Sequence, residues 1–479
     1  MPTDSPSLRW PALALAALVT GALGFASTGL DGWWPLVWLA PLPVLALAFR
    51  ASARQAAAMA FAAWALNGLN LFTFMLRLTP PPIAVAVVLV PALAFALCVL
   101  AARRAVRRLP PGAAVFAFPL AWTAIEFLLS LPSPHGTSGS LAYTQSDVLP
   151  LIQIASVTGL PGITFLLTLA PSALAVAWQE RADRRRAVQA LAGPFAILVL
   201  ALSWGGLRLA QPAGHPPVRV GLAATDATVA SFHTEDPAEA LPVVRAYARR
   251  VADLAHQGAV VVVLPEKFVG VTPAYEEEVD RIFSETAREN RISVIAGLNR
   301  IGRPVAHNTA VAYSPAGQIV ARYEKIHLLP AFEGQYPPGP GPTDLPLAGT
   351  QAGIAICKDM DFSALGRSHG QAGAGLVFVP AWDFVRDGRL HARMAVLRGV
   401  ESGFAVVRTA QQGRLTVSDD RGRILAEATS SPAGTSLLAE VRPGSGPTFY
   451  SRTGDWFGWL TVAGLALVLV LSLRRDRRP

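Results

Sequence analysis

The chain has 479 residues, of which 52% are hydrophobic and only 15% charged, against roughly 25% charged in an ordinary soluble domain. That excludes a purely soluble protein and leaves room for a membrane part plus a globular domain of about 150 to 250 residues. The net charge is +9, and of the 41 cationic residues all but Lys267, Lys325 and Lys358 are arginine.

Windows of about 17 to 21 apolar residues suffice to cross a hydrocarbon core. They predict seven spans in residues 1–210, at 10–26, 33–49, 56–76, 82–102, 112–131, 158–178 and 187–207, and an eighth at 456–473. Because six more spans follow the first at once, it reads as a retained anchor rather than a cleaved signal. Arginines in short loops mark the cytoplasmic side. Arg9, then Arg50 and Arg54, then Arg103, Arg104, Arg107 and Arg108, then Arg181, Arg184, Arg185 and Arg186 fall in alternate loops. The tail Arg474, Arg475, Arg477 and Arg478 continues the alternation, while the other short loops hold only Arg77 and residues 133–157 hold none. Both termini are therefore expected in the cytoplasm and residues 216–442 outside it. Charge confined to loops between spans also argues against a nucleic-acid partner. Glu126, inside the fifth span, is an expensive carboxylate that needs a partner, and none is visible in the sequence.

Residues 216–442 have the composition of a soluble α/β domain. Apolar runs at 218–222, 258–264, 292–298, 353–357, 375–379 and 405–409 alternate with helical patterns at 237–256, 275–290 and 391–402. Ser314, Pro315, Ala316 and Gly317 read as a hairpin turn between short strands, and a last strand pair surrounds Asp420, Arg421 and Gly422. Such alternation implies sheets covered by helices.

Three residues in this domain combine into chemistry. Glu266 follows the run 260–264 and Pro265, Lys325 follows the strand 319–323, and Cys357 closes the run 353–356. Strand ends are where side chains converge on a cleft. A cysteine attacks only as thiolate; Glu266 can take its proton, and Lys325 can stabilise the thiolate and a tetrahedral oxyanion. Each residue also has a bland reading: a buried small hydrophobe, a helix cap, a solvated lysine. The lysine census tips the balance. An ammonium is a compact point charge that a planar guanidinium cannot replace where space is tight, and the three lysines are the candidate itself and the neighbours of Glu266 and Cys357. The two cysteines, Cys98 and Cys357, lie too far apart and in too different surroundings for a disulfide framework or a cysteine-rich zinc site.

Pro265-Glu266, the segment Tyr323-x-Lys325-x-His327-Leu328-x-Pro330 and Ile356-Cys357 resemble the Glu-Lys-Cys triad of the nitrilase superfamily. With seven spans before the domain and one after, the chain resembles the apolipoprotein N-acyltransferase family. Glu333 matches that family's loop glutamate, and Arg398 and Glu401 its helix after the nucleophile strand. Gly446, Thr448, Tyr450, Arg452, Gly454, Asp455 and Trp456 match the lead into its last span, and Trp34, Pro35 and Leu36 the start of its second. Departures lie near the nucleophile: Lys358 and Asp359 stand where the family has tyrosine and an acid, Pro380 and Ala381 precede Trp382 in place of an Asn-rich turn, and Lys267 is unusual beside the glutamate.

The resemblance implies an eight-span α-helical membrane domain (1–210, with 456–473 closing the chain) and an α/β nitrilase-like sandwich (216–442). It implies acyl transfer in the bacterial inner membrane, from the sn-1 position of a phospholipid, through a thioester on Cys357, to the amine of a diacylglyceryl-cysteine lipoprotein, with neither metal nor organic cofactor because a thioester conserves the reactivity of the ester. Glu266, Lys325 and Cys357 are the expected catalytic residues, with Glu333, Asp359 and Lys358 in support and Trp382, Tyr323 and Glu401 facing substrate. Pro35, Pro41, Pro43, Pro91, Gly159, Pro161 and Gly162 are candidates to shape a lipid opening, or are ordinary residues of spans. Two other classes use the same sequence features: a membrane-tethered amide or nitrile hydrolase, and a non-catalytic lipid- or lipoprotein-binding protein.

Overall fold

The computed structural model describes residues 9–212, 214–302 and 305–474; Arg475, Arg477 and Arg478 lie outside them. The chain divides into two compact units, one formed within residues 1–132, 139–206 and 455–479, the other from 133–138 and 207–454.

The first unit is helical. In chain order it holds α1 (Trp10–Ser27), α2 (Leu42–Ala48), α3 (Ala53–Leu78), α4 (Pro81–Arg108), α5 (Pro111–Ala114), α6 (Ala117–Ser130), α7 (Leu149–Ile152), α8 (Ala155–Thr158), α9 (Leu160–Gln179), α10 (Arg184–Ala210) and a terminal helix, Trp456–Arg474. Among the described residues, seven helices are long and apolar enough to cross a membrane. The expected second span, 33–49, is not one continuous helix. Pro35 sits in a 3-10 turn (Trp34–Trp38) and Pro41 and Pro43 open the seven-residue α2; each proline fixes φ and removes a backbone donor, so the apolar run is broken. Apolar composition alone could not reveal this.

Two features show how the remaining helices are held. A capping box joins Ser52 and Gln55 at the start of α3, satisfying backbone donors that would otherwise be orphaned. Trp64, Phe95, Phe118 and Trp122 pack into one aromatic cluster, with Trp64 4.5 Å from Phe95 and 4.8 Å from Trp122, geometry worth about 0.5–1.5 kcal/mol per pair beyond burial. On α4, Leu89, Leu93 and Leu97 point outward at four-residue spacing, an apolar stripe suited to a lipid surface.

Glu126 finds its partners inside this unit, and none of those recorded is a cation. Its carboxylate accepts from Ser140 Oγ at 2.6 Å, Thr164 Oγ1 at 2.7 Å, Leu141 N at 3.1 Å and Trp122 Nε1 at 3.2 Å. Four donors fill the acceptor sites of one carboxylate. It therefore ties α6 to the connection at 140–141 and to α9, and no sequence rule pairs these residues.

The second unit contains β1 (Val218–Ala224), α11 (Pro237–His256), β2 (Val261–Val263), β3 (Gly270–Val271), α12 (Glu276–Asn290), β4 (Ser293–Arg300), β5 (His307–Tyr313), β6 (Ile319–Glu324), β7 (Thr343–Leu347), β8 (Thr350–Ile354), α13 (Ser363–Gln371), β9 (Leu376–Trp382), α14 (Gly388–Ser402), β10 (Ala405–Gln411), β11 (Arg414–Ser418), β12 (Ile424–Thr429), β13 (Thr435–Val441) and α15 (Phe449–Thr453). One sheet has the order β13-β1-β2-β4-β5-β6 with β3 beside β4, the other β12-β11-β10-β9-β8-β7. Val220, Leu222, Val261, Val263 and Ile295 of the first sheet meet Ile354, Phe378, Val407 and Val417 of the second in one core. Val262, Val294 and Val311 face α11 and α12 instead, and Val377 and Val406 face α13 and α14. Central strands covered on both faces read as unbroken apolar runs, which is why they were visible in the sequence. Strand β13 was not; it returns to pair antiparallel with β1, Val218 opposite Val441.

Replacing Glu126 by Gln turns one acceptor oxygen into a donor that faces donors. Leaving buried polar groups unmatched costs about 1–3 kcal/mol, so thermal unfolding of Glu126→Gln in detergent is expected at a clearly lower midpoint than wild type. An unchanged midpoint contradicts this role.

Candidate active site

Topology explains why distant sequence segments meet. β1, β2 and β4 are mutually parallel, and β6 runs in the same direction as β4 because both are antiparallel to β5. In the other sheet β8, β9 and β10 are parallel. Glu266, Lys325, Cys357 and Trp382 all lie at the carboxyl ends of such strands.

Each residue is placed by tight backbone contacts. The Glu266 amide donates to Ala381 O at 3.2 Å, and Gln411 Nε2 donates to the Glu266 carbonyl at 3.0 Å. Beneath the turn lies Gly297, where a Cβ would stand 2.2 Å from Pro265 O and 2.7 Å from Glu266 Cα; only glycine permits that approach. Lys325 N donates to Asn308 O at 2.9 Å. Cys357 opens a 3-10 turn, Cys357–Asp361, with φ at 46°, and Lys267 has φ at 47°. Left-handed backbone at non-glycine residues costs of order 1–3 kcal/mol and clusters at functional sites.

The side chains form a buried network of two carboxylates and two ammoniums. Lys325 Nζ lies 2.9 Å from Glu266 Oε1 and 2.8 Å from Glu333 Oε2. Lys267 Nζ lies 2.6 Å from Glu333 Oε1 and 3.9 Å from Glu266 Oε1. Asn308 Nδ2 donates to Glu266 Oε1 at 2.6 Å and Glu333 Oε1 at 2.9 Å, and the Leu329 amide to Glu333 Oε2 at 2.9 Å. Glu266, Lys325 and Glu333 are 1%, 3% and 2% exposed, so these charges interact through protein rather than water. Burial alone would depress the Lys325 ammonium, but Glu266 and Glu333 outweigh it and hold its pKa well above the usual value. Burial opposes ionisation of Glu333 as well, yet Lys325 and Lys267 bring its pKa down to about 2.

Cys357 is close enough to feel this network. Burial pushes its thiol well above the ordinary range, Glu266 adds to the rise, and Lys325 and Arg408 oppose it. Sγ lies 3.4 Å from Trp382 O, to which it donates. These surroundings favour the thiol over the thiolate.

The other expected residues take distinct places. Asp359 is fully buried and accepts from Tyr323 Oη at 2.7 Å, His327 N at 2.8 Å and Ile356 N at 3.0 Å; it pins the Cys357 turn to the segment after β6, and the Tyr323 hydroxyl is spent on that bond. Trp382, partly exposed, donates Nε1 to Gln412 Oε1 at 2.8 Å and presents its ring to Phe232 and to the Lys267 ammonium. Glu401 is buried on α14 and pairs with Arg398 at 2.7 Å, away from the triad. Lys358 Nζ meets His135 Nδ1 at 3.0 Å. Burial lowers its ammonium pKa, Asp361 opposes that, and Lys325 reinforces it.

The sequence did not single out several residues of this region. Asn308 crosslinks the two carboxylates. Arg408 and Asp383, both buried, form a bidentate pair at 3.0 and 2.5 Å. Residues 133–138 belong to this unit: the Thr137 amide and hydroxyl both donate to Asp361 O, at 3.1 and 2.8 Å. The one available signal was a polar side chain inside an apolar strand run, as with Asn308 in β5 and Arg408 in β10. Among the described residues no group of His, Cys, Asp and Glu is arranged to hold a metal ion.

Residues 221–444 match the family model for carbon-nitrogen hydrolases, and residues 20–173 that for the apolipoprotein N-acyltransferase N-terminal domain. The chain is 30% identical to the apolipoprotein N-acyltransferase of Geobacter metallireducens, over 96% of this chain and 95% of that protein. It is 28% identical to that of Gloeobacter violaceus, over 97% and 95%. Among solved structures, an amidase of the nitrilase superfamily from Nesterenkonia is 20% identical, covering 49% of this chain and 93% of its own, with a TM-score of 0.41.

A thiol held protonated by its surroundings reacts slowly until the solution pH reaches its raised pKa. Alkylation of Cys357 by iodoacetamide, followed by mass spectrometry of its peptide, is expected to keep climbing with pH beyond the ordinary thiol range of about 8.5. A plateau at or below neutral pH contradicts a thiol-form resting state.

Proposed function

This chain belongs to the apolipoprotein N-acyltransferase family, and we propose that Glu266, Lys325 and Cys357 perform its N-acylation of lipoproteins in two half-reactions. Glu266 takes the Cys357 proton as sulfur attacks the sn-1 ester carbonyl of a phospholipid. Lys325 and a backbone N–H of the Cys357 turn stabilise the oxyanion. The C–O bond breaks, the lysophospholipid alcohol recovers the proton from Glu266, and an acyl thioester remains on Cys357. The α-amine of an S-diacylglyceryl-cysteine then attacks the thioester and gives its proton to Glu266. The C–S bond breaks, an amide is released, and the thiol is restored.

Full-length similarity to named relatives carries this reading: an acyltransferase N-terminal segment and a carbon-nitrogen hydrolase segment occur in one chain. A soluble amide hydrolase would have no use for seven long apolar helices. Acyl substrates would: burial worth about 0.8 kcal/mol per CH₂ keeps both donor and acceptor in the bilayer, so the thiol has to be brought to them. The arginine pattern supports a multi-pass protein of the bacterial inner membrane with both termini in the cytoplasm and residues 216–442 outside it. Glu333 orients Lys325, Asp359 holds the Cys357 turn with Tyr323 as its partner, Lys358 flanks the nucleophile, and Trp382 belongs to the walls around the reaction; Glu401, paired with Arg398 on α14, is not brought to the triad. Neither metal nor organic cofactor is needed, because a thioester conserves the reactivity of the ester it came from.

Incubated with phospholipid vesicles, the purified protein is expected to gain the mass of one fatty acyl group on the Cys357 peptide, and to lose it when a diacylated lipopeptide is added. Cys357→Ala removes the adduct. Glu266→Gln slows its formation by about 10²–10⁴-fold, the usual worth of a general base. Lys325→Met slows it by about 10²–10³-fold. An unmodified thiol during turnover, or a lipid-independent amide hydrolysis, overturns the proposal.

A further inference from the structure

Lys267 stands outside the triad, beside Glu266, and its surroundings assign it a task. Its ammonium is buried, lies 2.6 Å from Glu333 and 3.9 Å from Glu266, and faces the rings of Tyr336 and Trp382 at 5.3 and 5.7 Å. Its backbone is held in the left-handed region, a conformation that persists only where the surroundings impose it.

Charge balance explains what the second ammonium does. Asn308 Nδ2 donates to Glu266 Oε1 and Glu333 Oε1 alike, so the two carboxylates lie side by side. Two carboxylates sharing a site cannot both ionise easily, and one pKa is driven up. Lys325 alone supplies one positive charge for two negative ones. Lys267 supplies the second. It binds Glu333 through Oε1, while Lys325 binds Glu333 through Oε2 and Glu266 through Oε1. The recorded contacts on the Glu266 carboxylate fall on Oε1, from Asn308, Lys325 and Lys267. Oε2 is left to receive a proton.

We propose that Lys267 is a positioning residue for the transfer reaction: by neutralising Glu333 it keeps both carboxylates ionised at neutral pH, so that Glu266 is available as the base. The idea rests on the reading of Glu266 as general base given above. The groups that set this balance are Glu266, Glu333, Lys325, Lys267 and the Cys357 thiol, with the Tyr336 ring and hydroxyl beside them. Without Lys267 one proton would settle on the carboxylate pair, and catalysis would wait for a higher pH.

The test uses the full-length protein in detergent, with mixed phosphatidylethanolamine and phosphatidylglycerol vesicles as donor and a diacylated lipopeptide as acceptor. In Lys267→Gln, which keeps a hydrogen-bond donor but no charge, the acid limb of the kcat/KM profile is expected to move up by about one pH unit or more. At a pH well down the acid limb activity falls about tenfold, the ratio a one-unit shift gives there, and it recovers toward wild type as the pH rises. Lys267→Met gives the same shift. A second readout needs no turnover. Because Glu333 is held ionised in wild type down to about pH 2, while in the variant it would protonate on acidification, the Tm difference between wild type and Lys267→Gln is expected to narrow from pH 7 to pH 4. An acid limb at the wild-type position with a pH-independent Tm difference means Lys267 only fills space, and overturns the proposal. If wild type itself transfers no acyl group the functional reading fails, and the Tm comparison still decides the role of Lys267.

Discussion

One ammonium clasped by two carboxylates, Lys325 between Glu266 and Glu333, is the interaction on which the site depends. Stripping water from such ions costs several kcal/mol each, and their attraction offsets that only if the geometry is good and the remaining donors and acceptors are satisfied. Here they are: Asn308, the Leu329 amide and Lys267 all bond to the same pair of carboxylates. Removing one partner would leave its neighbour charged, buried and alone. The cluster is thus an expense for stability, which the proposed reaction would use as preorganisation.

The sandwich supplies the rigidity that this demands. Strand ends in both sheets deliver the residues, and cores on both faces of each sheet hold those strands in register. Two of the non-glycine residues held in left-handed backbone, Lys267 and Cys357, lie at the site. Gly297 lets Glu266 sit against the neighbouring strand, and the buried Arg408 and Asp383 pair supports β9 and β10 behind Trp382. With the thiol form favoured at rest, the proposed reaction needs the cluster to ionise it only during attack. Such an arrangement protects the thiol from oxidation, since the thiolate is the susceptible form.

What the sequence made legible follows from which features are local. Glu266, Lys325 and Cys357 could be found because each follows an apolar run in a doubly covered strand, and because arginine elsewhere made three lysines conspicuous. The long apolar helices were visible for the same reason of composition. Residues whose importance comes from pairing across the fold were not: Asn308 joins Glu266 to Glu333, and Ser140 and Thr164 meet on Glu126. Short, half-polar β7 and the returning β13 lack an apolar run, and three prolines interrupt a segment, 33–49, that hydropathy alone reads as continuous. Lys267 was noticed as odd, but its meaning needed the position of Glu333, 66 residues away.

The charge state of the carboxylates can be read directly. Infrared difference spectra of wild type against Glu266→Gln and Glu333→Gln, recorded at neutral pH on protein labelled with carbon-13 glutamate, isolate the vibration that each substitution removes. The account predicts loss of an ionised carboxylate stretch in both cases. Loss of a protonated carboxylic acid band from either residue would show that the pair shares a proton at rest, and the proposed base would not be ready to act.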